Sequence, residues 1–243
     1  NLGSMATPVG NPQNLYLYNA FSVEAGAFFA LILPLVLVSF LALSAACLLG
    51  PDETICVSFP QPAAFRRKGR LGLMAALFLL CLLCVFHLLH EWVLFLLVLG
   101  CLLLFGRDLL PRVDYGLLAT FVCFFVFAGN IGAAPALREA LTRALAWNPA
   151  LIAGLASQVI SNVPAALLLS GFTEDWRGLL LGTDIGGLGT PVASLASLIS
   201  LKLYLRTPGA RLGRYLLAFT GANAAGLLLL GGAAVLFGRL GLF

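Results

Sequence analysis

Nine residues recur 183 positions apart, and both copies interrupt apolar sequence with glycine and proline. The chain reads NLGSMATPV from residue 1 and DIGGLGTPV from residue 184. Gly3 and Gly186, Thr7 and Thr190, Pro8 and Pro191, and Val9 and Val192 are identical pairs, while Asn1 and Asp184, Leu2 and Ile185, and Met5 and Leu188 are close substitutions. A repeated, helix-breaking segment within hydrophobic surroundings constrains the fold strongly. It points to internal symmetry and to discontinuous helices of the kind that build the binding site of a secondary transporter.

Composition places those breaks in a membrane. Hydrophobic residues make up 61% of the 243, charged residues 10%, and mean hydropathy is +1.03. A soluble domain carries about 25% charged residues, so a water-soluble globule is excluded. The six cysteines lie mostly in apolar runs, and Cys81 and Cys84 lack a second pair, so they read as packing residues.

Residues 22–49 form an apolar helix containing Pro34, which a membrane span tolerates. Residues 50–70 are a polar, basic linker. The apolar run 71–106 is too long for one crossing and is interrupted at His90 and Glu91, so two short helices with a tight turn are expected. A charged loop over 107–114 precedes a span over 115–130. Residues 134–147 carry Arg138, Glu139 and Arg143 among Ala and Leu, the pattern of a helix lying in the interface. Residues 149–172 are two apolar arms flanking Ser161 to Pro164, each too short to cross alone, which predicts a re-entrant hairpin with Asn162 at its tip. Residues 176–205 read as one helix broken over 182–190, and 212–237 as the last span.

Charge orients this scheme. With loops 50–70, 107–114 and 202–214 in the cytoplasm, ten of fourteen basic residues lie inside, which is the positive-inside bias. The second copy of the motif is followed by a basic stretch and the first is not, as inverted copies require. The expected fold is therefore an all-α polytopic membrane protein, an inverted-repeat secondary transporter with a re-entrant hairpin and discontinuous helices. Residues 1–49 would end the first repeat, 50–70 link the halves, and 71–243 form the second. Within the second, residues 71–133 are its scaffold spans. The second repeat has a long stretch ahead of its motif that the first lacks, so the chain reads as N-terminally truncated.

Broken backbone in lipid exposes N–H and C=O groups at helix ends, which suit anions and cations respectively. Gly186, Gly187 and Gly189 permit unusual dihedrals and close approach. Helical spacing places the hydroxyls of Thr190, Ser194 and Ser197 near one face, with Thr7, Asn11 and Asn14 at matching positions in the first copy. Ser161 and Asn162 supply neutral oxygens for a hard cation, or hydrogen-bonding groups for an oxyanion. Against these readings stands helix packing by the same hydroxyls. Asp184 is the sharpest residue: a carboxylate at mid-membrane is expensive and marks a proton or cation site, unless it merely caps the broken backbone. A sodium site near Asn162 and Asp184 is expected, with no cofactor beyond a coupling Na+ or H+. No nucleic-acid partner is expected.

The segments NLGSMATPVGNPQN from residue 1, SNVPAALLL from residue 161 and GTDIGGLGTPVASLASL from residue 182 resemble the signatures of the ion transporter superfamily. More narrowly they resemble its ArsB/NhaD-type anion permeases, with their citrate-transporter-like domain. The resemblance implies a multi-pass carrier of the cell membrane, dimeric through a scaffold domain and moving its solute by an elevator motion. Members carry citrate, dicarboxylates, arsenite, silicate, or sodium against protons. Sodium-coupled dicarboxylate members have Ser-Asn-Thr at the hairpin tip where this chain has Val163, a departure that weighs against a sodium site of that type. An aspartate at the position of Asp184 is seen in arsenite-type members and favours proton or metalloid chemistry. The competing reading is a sodium/proton antiporter with Asp184 as cation carrier. An intramembrane enzyme is disfavoured because no acid pairs with Asp184 and both histidines lie near a surface. ATP-driven transport is disfavoured because the chain has no Gly-Lys-Ser/Thr loop.

Overall fold

The computed structural model describes residues 1–49, 68–132 and 134–241. Among these, every regular element is helical. A 3-10 turn at Ser4–Ala6 precedes α1 (Pro12–Ala20) and α2 (Ala25–Leu48). Then come α3 (Lys68–Val85), α4 (Glu91–Phe105), a second 3-10 turn at Arg107–Arg112, α5 (Tyr115–Gly132) and α6 (Pro135–Trp147). The C-terminal part holds α7 (Pro149–Ile160), α8 (Asn162–Leu169), α9 (Trp176–Gly186), α10 (Leu195–Leu205) and α11 (Leu212–Arg239). Residues 50–67 of the expected linker lie outside the described residues.

The chain divides into two compact units, Ser44–Tyr115 and the combination of Asn1–Leu43 with Gly116–Phe243. In the smaller unit, α3 and α4 are joined by a tight turn in which His87 takes a positive φ of 59°. The His90 side chain closes that turn by accepting the Trp92 N–H at the start of α4. Arg70 grips Asp108 with two bonds of 2.7 and 2.8 Å, and this holds the Asp108 carboxyl below its usual range.

Three helices, α2, α3 and α11, are long and apolar enough to cross a bilayer. Their outward faces carry exposed leucine and phenylalanine in numbers that water would not tolerate. In α2 the residues Phe28, Leu31, Ile32, Leu35 and Ser39 share one buried stripe, set by helical periodicity. Helices α5 and α6 meet at 99°. In α6 Leu145 is buried, while Arg143 and Glu139 pair in solvent.

The core of the larger unit is α7, α8 and α9 with α1 against them. Helix α7 ends at Ile160, and Ser161 breaks the chain with φ 73° and ψ 153° before α8 begins. Helices α7, α8, α9 and α10 have 12, 8, 11 and 11 residues, each too short to cross a membrane alone.

The second break differs from expectation. It lies after α9, over residues 187–194, because the helix continues through Gly182 and ends at Gly186. The reason is packing. Gly178, Gly182 and Gly186 fall four residues apart and form the face of α9 laid against α7, where a Cβ would strike Pro149, Ala150 or Gly154 at 2.9 Å or less. This is small-residue helix pairing, which lets two backbones approach in lipid. Gly186 and Gly187 keep right-handed helical backbone, so neither uses the special dihedrals expected of them. Gly189, at φ +115°, does.

Candidate functional site

Asp184 lies in the last turn of α9 and is 2% exposed. Pro12 starts α1 just downstream of the first broken segment, and this aims Gln13 and Asn14 inward, where both are buried. Gln13 Nε2 donates to Asp184 Oδ1 at 3.0 Å. The Asn14 and Asn11 amides stand near the same carboxyl. Asn14 Nδ2 donates to the Met5 carbonyl at 3.3 Å, and Asn11 Oδ1 accepts from Ser4. The pocket therefore joins α1, the 3-10 turn and α9.

Two buried oxygens here have no hydrogen-bond partner: Asp184 Oδ2 and Asn14 Oδ1. Both are acceptors, and neither described ion pair involves Asp184. Buried acceptors left unmatched carry a large desolvation cost. A proton on the carboxyl or a bound cation would supply the partner that Asp184 Oδ2 lacks.

A second cluster adjoins the first. Asn1 Nδ2 donates to the Gly187 carbonyl at 2.7 Å and to Ser194 Oγ at 2.6 Å. Asn162 is buried, its N–H donates to the Ala193 carbonyl at 2.9 Å, and its amide would lie 2.9 Å from a Cβ on Gly187. Ser194 caps α10 by accepting from the Ser197 N–H, and its hydroxyl pairs with that of Ser197. The two copies of the repeated motif thus touch through Asn1 and Gly187, and Asn1 also reaches Ser194, two residues past the second copy.

Of the residues expected at the site, Asn11, Asn14 and Asp184 form one cluster, and Asn162, Gly187 and Ser194 the other. Ser161 is at the hairpin turn, with its hydroxyl donating to Ala193 O at 3.4 Å. Gly186 is a packing residue against α7. Thr7 and Thr190 are both exposed, and each has a local role. The Thr7 carbonyl accepts the Gly10 N–H, and Thr190 bonds Gln158 through its N–H and its hydroxyl. Helical spacing misplaced Thr190 because residues 187–194 are not helical. The unmatched oxygens belong to Asp184 and Asn14. Among the described residues no group of three His, Cys, Asp or Glu is arranged to hold a metal.

Sequence reasoning missed Gln13 and Gln158. Gln158 is a long amide in an otherwise apolar helix, and that rarity was the available signal, whereas Gln13 sits among Asn11, Pro12 and Asn14 and does not stand out. A cavity of about 700 Å³ borders the first cluster and is lined by Val9, Asn11, Tyr16, Phe121, Phe125 and Val163 among others, with no Lys or Arg.

The profile of the citrate transporter (CitMHS) family matches residues 1–174, which takes in the first broken segment, α1 and the α7–α8 hairpin. An uncharacterized transporter of Methanocaldococcus jannaschii is 32% identical over 217 residues, which are 89% of this chain and 58% of that protein. An inner membrane protein of Escherichia coli K12 is 30% identical over 213 residues, 84% of this chain and 55% of that protein. The chain spans little more than half the length of these curated relatives. No solved structure matches it. With its apolar helices, broken segments and a profile match over most of its length, the chain belongs to the citrate transporter (CitMHS) family of the ion transporter superfamily, whose members are integral membrane proteins.

Proposed function

We propose that this chain is part of a multi-pass secondary transporter of the cell membrane, moving a small anionic solute such as citrate, another carboxylate or an oxyanion such as arsenite. In this reading the protein has no enzymatic step. Transport is driven by a proton or sodium ion held at Asp184, and the solute is carried by an elevator motion within a homodimer. The observation that carries the reading is the pair of unmatched, buried acceptors, Asp184 Oδ2 and Asn14 Oδ1, at the junction of two broken segments. A carboxylate kept at such depth persists because it binds and releases positive charge. The adjoining cavity lies in the size range of small-molecule sites.

One observation favours a second reading. Among the described residues no Lys or Arg lines the cavity or pairs with Asp184, which suits a cation better than a multiply charged anion. In that reading the protein exchanges sodium for protons.

Full-length protein in sealed vesicles tests both. Asp184→Asn keeps the shape and the bond from Gln13 but removes the charge. It is expected to abolish gradient-driven flux while leaving expression and thermal unfolding near wild type. Labelled citrate and arsenite uptake that follows an imposed pH or sodium gradient supports the anion reading, and sodium movement driven by pH alone supports the antiporter. Flux that Asp184→Asn leaves unchanged at every pH removes Asp184 from the mechanism.

A further inference from the structure

Gln158 is a polar residue of α7 that the proposed mechanism leaves unused, and its carboxamide is inserted into the break after α9. Its Nε2 donates to the carbonyls of Gly186 at 2.6 Å and Leu188 at 2.9 Å, and to Gly154 of its own helix at 3.2 Å. Its Oε1 accepts the Thr190 N–H at 2.9 Å, and its backbone carbonyl accepts the Thr190 hydroxyl at 3.0 Å. The loop wraps the amide so closely that a Cβ at Gly189 would lie 2.2 Å from Oε1. Gly189 also holds φ +115°, a backbone that side chains resist.

A helix that stops inside a membrane leaves its last carbonyls without partners, and no water is there to replace them. At this break one side chain answers two carbonyls and one N–H. Two further bonds tie the same loop to the hairpin turn, since the Asn162 N–H and the Ser161 hydroxyl both donate to Ala193 O.

We propose that Gln158 is a positioning residue whose carboxamide clamps the break after α9 to the α7–α8 hairpin. Hairpin and break then behave as one body, and Asp184, two residues before the clamped Gly186, keeps its place opposite Gln13. Pulling the hairpin off α9 would strip several hydrogen bonds together. Sliding the whole unit against other helices leaves all of them intact. The conformational change of transport therefore runs outside the α7–α9 contact.

Hydrogen exchange of the full-length protein in lipid nanodiscs tests this without knowledge of the solute. Gln158→Met keeps side-chain length and removes both ends of the clamp. Peptides covering residues 186–194 should then exchange roughly tenfold faster or more, the factor that corresponds to one lost hydrogen bond of about 1.4 kcal/mol. Peptides from α2 should not change. Gln158→Glu retains a donor only while protonated, and an ordinary glutamate protonates at about pH 4.3, so protection of 186–194 should approach wild type at pH 3.5 and fall as pH rises, while wild type shows no such trend relative to intrinsic rates. If Gln158→Met exchanges like wild type, the side chain merely fills space and the clamp is refuted. If Gln158→Glu at pH 3.5 is as unprotected as Gln158→Met, the donor role is refuted. Should Gln158→Met fail to accumulate, the Gln158→Glu pH series decides alone.

Discussion

Replacing Gly182 by alanine should drive α7 and α9 apart. The new Cβ would lie 2.3 Å from the Ala150 carbonyl oxygen, 2.7 Å from Ala153 Cβ and 2.9 Å from Ala150 Cα. Two of these atoms are backbone, so no side-chain rotation relieves the clash. Restoring an ordinary carbon–oxygen contact of about 3.3 Å needs the helices to part by roughly 1 Å at that level. A gap of that size forfeits about a quarter to a half of the dispersion energy of each contact it opens. Overpacking of this kind costs about 1–3 kcal/mol or more, whereas alanine's better helix propensity returns about 1 kcal/mol. A clash of 2.3 Å against backbone belongs at the upper end of that range, so the net expectation is a destabilisation of about 2 kcal/mol. Two glycines serve as controls. Gly154 faces Gly182 across the same contact, yet its added Cβ would meet only Gly182 O at 3.5 Å, an ordinary distance, and Gly231 in α11 has open space. Gly154→Ala and Gly231→Ala should therefore be neutral or slightly stabilising. Unfolding of the full-length protein in mixed detergent, followed by tryptophan fluorescence, measures all three. A Gly182→Ala protein as stable as wild type, or a Gly154→Ala protein that is worse, would refute the packing argument.

Two other substitutions probe separate features. Ser161 occupies a backbone region almost reserved for glycine, at a strain of about 1–3 kcal/mol, and its hydroxyl bond is long. Ser161→Gly should raise stability by about 1 kcal/mol after allowing for the greater freedom of glycine in the unfolded chain, and a lower melting temperature would contradict the strain. The Arg70–Asp108 pair lowers the Asp108 carboxyl below its ordinary value, so its small stabilisation is present above the usual carboxylate range and lost as pH falls through the lowered value. Asp108→Asn should remove that pH dependence, and salt should mimic the substitution because the pair is exposed; a melting curve indifferent to both would show that the pair contributes nothing.

The legibility of the site varied residue by residue, for physical reasons. Asp184 stood out in sequence because a carboxylate in apolar surroundings has few uses, and it is indeed buried with an oxygen unmatched. Asn11 and Asn14 were found by their place after the first motif. Thr190 was misjudged because its spacing from Ser194 has meaning only on a helix, and the chain there is a turn held by Gln158. The glycines were read as flexible when most of them are rigid and small. Local sequence cannot separate those two uses, since both require the missing Cβ, and only the neighbour that a Cβ would strike distinguishes them.

By itself, then, the sequence determined the solvent, the helical class, the short arms around Ser161 and the existence of two related breaks. These follow from hydropathy, length and chain-breaking residues, which act over a few turns of backbone. Tertiary structure alone decided that Gln13 reaches Asp184 across 171 positions and that Gln158 fills the break. It also decided that Gly178, Gly182 and Gly186 form a contact face rather than a hinge. Each of these depends on which surfaces meet when apolar helices pack, and that is set by the shape of the whole unit rather than by any local stretch of chain.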